Sequence, residues 1–143
     1  MSTILLTKKF SFEMAHALDG YDGKCANLHG HSYHLEVTVE GAVPAAGDGL
    51  AGSGMVMDFH SLKEIVQETV VARYDHALVL KEGSRYLTGA VAAGNLVTVP
   101  FNPTAENLLL HFAALLRPQL PEGTRLHSLR LSETDSSVAE LQL

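Results

Sequence analysis

Cysteine is almost absent from this sequence: Cys25 is the only one among 143 residues. One cysteine cannot form an intramolecular disulfide, and it cannot build a zinc site that depends on several thiolates. A metal site in this chain would therefore rely on histidine or carboxylate ligands. Eight histidines are available for that purpose.

Charged residues are also scarce, at 18% of the chain, and the net charge is −6. The usual globular share is about a quarter, so the shortage indicates surface that is buried between subunits. Nucleic-acid binding requires clustered Lys and Arg, whereas the ten basic residues here are scattered along the chain. We therefore expect no nucleic-acid partner.

Long apolar runs are missing as well. No stretch approaches the roughly twenty apolar residues of a membrane helix, and the first residues lack a signal-peptide pattern. We expect a cytoplasmic protein that does not associate with membranes. There is no internal repeat and no GxGxxG or Walker motif, which disfavours nucleotide-binding α/β folds. The length fits one domain, residues 1–143.

Hydrophobic periodicity predicts four long strands and two helices. The strands are predicted over residues 4–15, 29–41, 124–133 and 136–143. Asp58 and Thr104 are predicted to cap the helices, and 42–54 and 81–95 are predicted to be irregular, followed by a short strand near 95–101. The order β-β-α-α-β-β predicts an α+β fold, a four-stranded antiparallel sheet with both helices on one face.

His29-Gly30-His31 is the sharpest local motif, since residues i and i+2 of a strand project from one face. Catalytic zinc usually takes three protein ligands, and His16 would return beside this pair if residues 18–27 reverse the chain. A zinc site is one interpretation. The other is that the motif is a polar strand end and His16 a surface or hydrogen-bonded core histidine.

Cys25 lies four residues before His29, in the loop that leads to this histidine pair. A nearby metal or imidazolium would lower its thiol pKa and make a thiolate available to remove a proton. A fourth metal ligand and an inert buried thiol are the alternatives. Asp75-His76 is either a proton-relay pair, in which Asp orients His, or a turn.

Glu133 ends the third long strand, and its carboxylate could accept two N–H groups from a planar amino-heterocycle. The alternative is an exposed acid at the strand end. The residues alone do not decide between these two interpretations.

Taken together, these residues resemble the 6-pyruvoyl-tetrahydropterin and 6-carboxy-tetrahydropterin synthase family. The resemblance spans nearly the whole chain and lies in FSFEMAH, Cys25-x3-HGH, GMVMDF, YDHALVL, PTAENL and the Ser132–Thr134 SET. Leu80 departs from it, because many relatives have Asn there, and the stretches 42–54 and 81–95 are longer than in compact members.

The resemblance implies a tunnelling fold, in which strands from three subunits form a twelve-stranded barrel and two such rings stack into a homohexamer with active sites between subunits. It also implies a role for each motif residue. Zinc would be bound by His16, His29 and His31; Cys25, Asp75 and His76 would be catalytic; Glu133 would anchor the pterin; and Thr104 and Glu106 would shape the pocket.

The substrate implied by the resemblance is 7,8-dihydroneopterin triphosphate. The short Cys-x3-His spacing favours the carboxy branch, a zinc-dependent lyase of queuosine biosynthesis that releases acetaldehyde and triphosphate to form 6-carboxy-5,6,7,8-tetrahydropterin. Three alternatives remain. They are pyruvoyl synthesis without carbon cleavage, aldolase-like cleavage of dihydroneopterin, and a non-catalytic zinc or pterin binder.

Overall fold

The computed structural model describes residues 2–45, 53–88 and 94–143. Its centre is an antiparallel pair of long strands, β1 (Ile4–His16) and β2 (His29–Gly41). Their register places His16 opposite His29 and Met14 opposite His31. The predicted reversal of the chain between these strands is confirmed, and it brings the first histidine back to the other two.

The sheet is larger than the sequence predicted. It contains β3 (Ala77–Lys81), β4 (Leu96–Val99), β5 (Thr124–Thr134) and β6 (Ser137–Gln142) in the order β4-β3-β1-β2-β5-β6. The strands β1, β2, β5 and β6 are antiparallel as predicted, but β3 runs parallel to β1 and β4 parallel to β3. The prediction of a four-stranded, wholly antiparallel sheet was therefore wrong: the sheet is six-stranded and mixed.

The missed strand, β3, lies directly before the stretch 81–95 that was predicted to be irregular and shares only Lys81 with it. Short apolar runs such as ALVLK are compatible with a strand or a buried helix segment, so periodicity alone does not identify them. Residues 46–52 and 89–93, which belong to the predicted irregular stretches 42–54 and 81–95, lie outside the described residues. Leu80, the departure from the family pattern, is a fully buried residue of β3.

Two helices complete the fold, and both predicted caps are confirmed. Helix α1 (Phe59–Val66) starts after Asp58, whose side chain accepts a hydrogen bond from the backbone N–H of His60 at 2.8 Å. A π-helical turn (Gln67–Val71) and one α turn (Ala72–Tyr74) continue it. Helix α2 (Ala105–Leu116) starts after Thr104, which accepts from Asn107 N–H at 3.1 Å.

Side chains from both helices pack against one face of the sheet, and together they form the hydrophobic core. The sheet residues of this face alternate along the strands with exposed ones; they include Phe10, Phe12, Met14, Tyr33, Leu35, Val37, Leu129 and Leu131. The reverse face is polar, with Lys9, Glu36, Arg130 and Glu140 opposite one another on four strands. No helix in the described ranges is long and apolar enough to cross a membrane.

Candidate active site

Three histidines meet on the core face of the sheet where β1 ends and β2 begins. Each of His16, His29 and His31 offers a ring nitrogen, and these three atoms lie within 4.8 Å of one another. Strand parity explains the arrangement, because His16 continues the Phe12 and Met14 row and the other two alternate with Gly30. His16 is 2% exposed, and the other two rings are half-buried.

Backbone carbonyls fix two of the rings. Nδ1 of His16 lies 2.7 Å from the Pro103 carbonyl oxygen, and Nδ1 of His29 lies 2.7 Å from that of Asn27. Because a carbonyl only accepts, both Nδ1 atoms carry hydrogen, which leaves Nε2 of each neutral ring with a lone pair. The two Nε2 atoms lie 3.0 Å apart. Such lone pairs repel one another unless a proton or a cation lies between them.

Burial keeps His16 in the form that binds metals. Burial away from solvent is the main reason that the pKa of His16 is lowered to about 4. The hydrogen bond to the Pro103 carbonyl raises the pKa, and the charges of His29 and His31 lower it to a lesser extent. The ring is therefore neutral at neutral pH. Beneath it, Tyr33 is stacked on Phe12 at 5.4 Å between ring centroids, and burial raises the pKa of its hydroxyl.

The donor set of this cluster fits a zinc ion. Nitrogens bound at about 2.0–2.1 Å around a tetrahedral ion lie about 3.3 Å apart. The Nε2 atoms of His16 and His29 are 3.0 Å apart, and all three ligand atoms lie within 4.8 Å of one another. Metal-bound imidazoles usually donate their second N–H to a carbonyl or carboxylate, as His16 and His29 do here. Three ligands would leave a coordination position for substrate.

Glu133 lies beside this cluster. Its Oε2 atom is 3.8 Å from Nε2 of His31, and its side chain is 26% exposed. Parity again explains the placement, because Glu133 follows Leu129 and Leu131 on the core face of β5. A register irregularity between Ser132 and Thr134 in the β5–β6 pairing also falls at this residue. A carboxylate here can face a ligand that occupies the same site.

Asp75 and His76 form the turn between α1 and β3. Asp75 Oδ1 accepts from Nδ1 of His76 at 2.9 Å and from the backbone N–H of Glu13 at 3.0 Å, so the two neighbours do interact. His76 has a positive φ of 62°, a conformation in which most residues other than glycine are strained. Its side chain is 77% exposed, which leaves the ring accessible to solvent.

His76 and His31 line the same cavity of about 480 Å³, where β1, β2 and β3 meet. Glu13 and Ser32 also line it, joined by a 2.7 Å hydrogen bond from the Ser32 hydroxyl to the Glu13 carboxylate. No sequence pattern singled out this pair, although the FSFEMAH motif contains Glu13. Cross-strand register is the information that joins them, since Glu13 stands opposite Ser32.

Three remaining candidates occupy the periphery. Cys25 is exposed and lies in a short 3-10 turn (Lys24–Ala26) two residues before Asn27, whose carbonyl holds His29. The hydrogen bonds of the described residues do not connect its thiol to the histidines. Thr104 caps α2, directly after the Pro103 carbonyl that holds His16, and Glu106 is exposed in the first turn of that helix.

The sequence is similar to those of known tetrahydropterin synthases. A profile of the family described as 6-pyruvoyl tetrahydropterin synthase matches residues 5–143. The 6-carboxy-5,6,7,8-tetrahydropterin synthase of Haemophilus influenzae is 39% identical over 142 residues, covering 96% of this chain and 97% of the relative. The dihydroneopterin monophosphate aldolase of Pyrococcus furiosus is 33% identical over 132 residues, covering 92% and 91%.

The fold is also similar to that of a solved 6-pyruvoyl tetrahydropterin synthase. The structure of Caenorhabditis elegans 6-pyruvoyl tetrahydropterin synthase superposes with a TM-score of 0.74 at 22% identity, covering 100% of this chain and 97% of that one. The α+β architecture is thus shared with solved members. The chain belongs to the 6-pyruvoyl tetrahydropterin synthase family.

Proposed function

We propose that this protein is a zinc-dependent lyase that converts 7,8-dihydroneopterin triphosphate and water to 6-carboxy-5,6,7,8-tetrahydropterin, acetaldehyde and triphosphate, a step of queuosine biosynthesis. The observation that carries the proposal is the cluster of His16, His29 and His31, two of whose rings are held by carbonyls with Nε2 directed inward. The full-length similarity to a 6-carboxy-5,6,7,8-tetrahydropterin synthase supports the choice of branch.

His16, His29 and His31 would hold the zinc ion, which would act as a Lewis acid towards the side-chain hydroxyls of the substrate. The Pro103 and Asn27 carbonyls would keep two of the rings in the required tautomer and orientation. The buried position of His16 excludes water from one side of the cluster. These residues therefore supply binding and orientation before any proton moves.

Cys25 would accept the proton from the substrate side chain as a thiolate. Asp75 would hold Nδ1–H of His76, so that Nε2 of that ring is free to take up or deliver a proton. The exposure of His76 suits an active site that is completed between subunits. Elimination requires two proton transfers, and a thiol and an imidazole would each carry out one of them.

Glu133 would hold the pterin ring through its amino and ring N–H groups. Its carboxylate is only 3.8 Å from His31, so a pterin bound to it would lie directly beside the histidine cluster. Thr104 and Glu106 would contribute to the wall of the pocket, next to the Pro103 carbonyl. Recognition and metal binding would then share one compact site.

Product analysis tests this proposal most directly. Purified, zinc-loaded protein is given 7,8-dihydroneopterin triphosphate, and acetaldehyde and triphosphate are quantified. The carboxy branch releases both in equal amounts. Triphosphate without acetaldehyde would indicate pyruvoyl synthesis instead, and neither product, together with tight pterin binding, would indicate a binding protein.

A second candidate function is aldolase cleavage, which the Pyrococcus furiosus relative favours. A retro-aldol reaction breaks the side chain without eliminating phosphate, so it releases no free triphosphate. Parallel assays with 7,8-dihydroneopterin and its monophosphate distinguish the two reactions. Cleavage of these substrates at a higher kcat/KM than that of the triphosphate would replace the lyase proposal.

Replacing Glu133 with glutamine is expected to weaken pterin binding by roughly ten- to a hundred-fold, because one acceptor becomes a donor that faces another donor, at a cost of about 1–3 kcal/mol. Calorimetric titration with sepiapterin measures the change. Glu68→Gln, which alters an exposed glutamate in the π-helical turn that continues α1, is the matched control. Equal affinities of the Glu133 variant and the wild type would make Glu133 an ordinary strand-end acid.

The zinc content of the Glu133→Gln variant is measured in the same preparation. Its carboxylate lies close to His31, so loss of zinc would also weaken sepiapterin binding and would mimic a defect in pterin recognition. We expect one zinc ion per chain in both proteins. A variant without zinc would place Glu133 among the groups that retain the metal.

We also propose a homohexamer. Within the described residues, β3 pairs with β1 only through Met14–His16, and the turn before β3 holds the backbone of Glu13, so residues 4–12 of β1 offer an open strand edge. Strand β6 is the opposite edge of the antiparallel strands. Open edges invite pairing, and head-to-tail pairing of β1 with β6 would close a ring. Sedimentation is expected to give six chains; a fully active 15.4 kDa monomer would refute both the barrel and shared active sites.

A further inference from the structure

The loop that carries Cys25 is held through three consecutive backbone carbonyls. The Cys25 carbonyl accepts from the N–H of Leu18 at 3.1 Å, and the Asn27 carbonyl accepts from His29 Nδ1 at 2.7 Å. The carbonyl of Ala26 lies between them, in the Ala26–Asn27 peptide, one residue beyond Cys25. Whatever holds Ala26 therefore helps to fix the direction of the Cys25 side chain.

Two side chains from a distant part of the chain hold this carbonyl. Nη2 of Arg85 and the hydroxyl of Tyr86 each donate to Ala26 O at 3.2 Å. The same Nη2 donates to the Tyr86 hydroxyl at 2.8 Å, and the guanidinium lies 4.8 Å from the centroid of the Tyr86 ring. The hydrogen bonds and the cation–π contact make the pair one rigid unit.

Arg85 and Tyr86 lie in a short 3-10 turn (Arg85–Leu87), and a second connection ties this turn to the start of the Cys25 loop. Ser84, which is 4% exposed, donates its hydroxyl to Asp19 Oδ1 at 3.3 Å and accepts from the backbone N–H of Tyr86. Asp19 is paired in turn with Asn102 through two hydrogen bonds of 2.8 and 2.9 Å. Asn102 precedes Pro103, whose carbonyl holds His16. The turn thus links the Cys25 loop to the support of the histidine cluster.

We propose that Arg85 and Tyr86 are positioning residues that hold Cys25 in the geometry required for proton removal. The inference rests on the proposed function of Cys25 and adds a role for a segment that the sequence predicted to be irregular. Neither side chain needs to touch the substrate. Loss of their hydrogen bonds frees the Ala26–Asn27 peptide, one residue beyond Cys25, and a displacement of about 1 Å can lower a rate by roughly a hundred-fold.

The double variant Arg85→Met/Tyr86→Phe removes both donors and retains much of the apolar volume. We expect kcat to fall by roughly ten- to a hundred-fold with little change in KM and in zinc content, since substrate and zinc are held elsewhere. Arg85→Lys, which keeps a cation and the Tyr86 hydroxyl, is expected to retain most of the activity. Tyr86→Phe alone is expected to have a kcat between those of the wild type and the double variant. This single variant tests the proposal if the double variant does not fold.

Arg117→Met is the matched control, because the exposed Arg117 guanidinium has no hydrogen-bond partner in the described part of the chain. It is expected to behave as the wild type. A loss of kcat in Arg117→Met equal to that in the double variant would show that removal of any surface arginine has this effect, and it would overturn the proposal.

A measurement without substrate separates this inference from the proposed reaction. Iodoacetamide labels the single cysteine, and mass spectrometry follows the rate in zinc-loaded protein. We expect a changed labelling rate in the double variant, because a thiol released from its position meets the reagent in a different range of orientations. Unchanged labelling, or changed labelling with unchanged kcat, would overturn the positioning role. Changed labelling in a protein that never turns over the pterin would support the positioning role and refute only the proposed reaction.

Discussion

The His29→Ala variant is expected to lose its zinc and, with it, all measurable turnover. Alanine removes the Nε2 atom that lies 3.0 Å from that of His16 and leaves only two imidazoles for the ion. Replacing a residue that only supports a metal ligand lowers metal affinity by about 10–100-fold. Replacing a ligand itself should therefore lower the zinc affinity by more than that. Metal analysis after dialysis against a weak chelator measures the effect.

The matched control for this variant is His60→Ala. His60 is an exposed histidine on α1, where it pairs with Glu64 at 2.9 Å, and it lies outside the histidine cluster. It should retain zinc and activity. Far-ultraviolet circular dichroism establishes that both variants are folded. A folded His29→Ala protein that keeps one zinc ion per chain with unchanged affinity would remove His29 from the proposed ligands.

The histidine cluster could be predicted because it depends on local information. Alternation along two strands and one chain reversal were sufficient to place His16 opposite His29. The position of Glu133 could not be predicted from local information alone. Its parity with Leu129 and Leu131 is visible in the sequence, but its approach to His31 depends on the pairing of β5 with β2, which the sequence does not specify.

Main-chain groups account for other features that the sequence did not reveal. The carbonyls of Pro103 and Ala26 act through atoms that every residue has, so no side-chain pattern marks them. The parallel strand β3 is similar, because it joins β1 through only three residues and after a long separation along the chain. Nonlocal contacts of this kind are decided by the packing of the whole fold.

Replacing Cys25 with alanine is expected to remove nearly all turnover and leave zinc in place. General base catalysis contributes about 10²–10⁴-fold to a rate, so kcat should fall by that factor while pterin binding, which we assign to Glu133, stays unchanged. Cys25 is exposed, so removal of its sulfur atom leaves no cavity in the core. The loss would therefore be chemical, and thermal unfolding of the variant should match that of the wild type.

Zinc content and a second substitution distinguish the possible roles of Cys25. Cys25→Ser keeps the size and polarity of the side chain, but a hydroxyl ionises much less readily than a thiol, so this variant should be nearly as inactive as Cys25→Ala. Loss of zinc from both variants would instead identify the thiol as a fourth ligand. Full activity of either variant, with zinc retained, would show that another group removes the proton, and His76 would then be the first residue to replace.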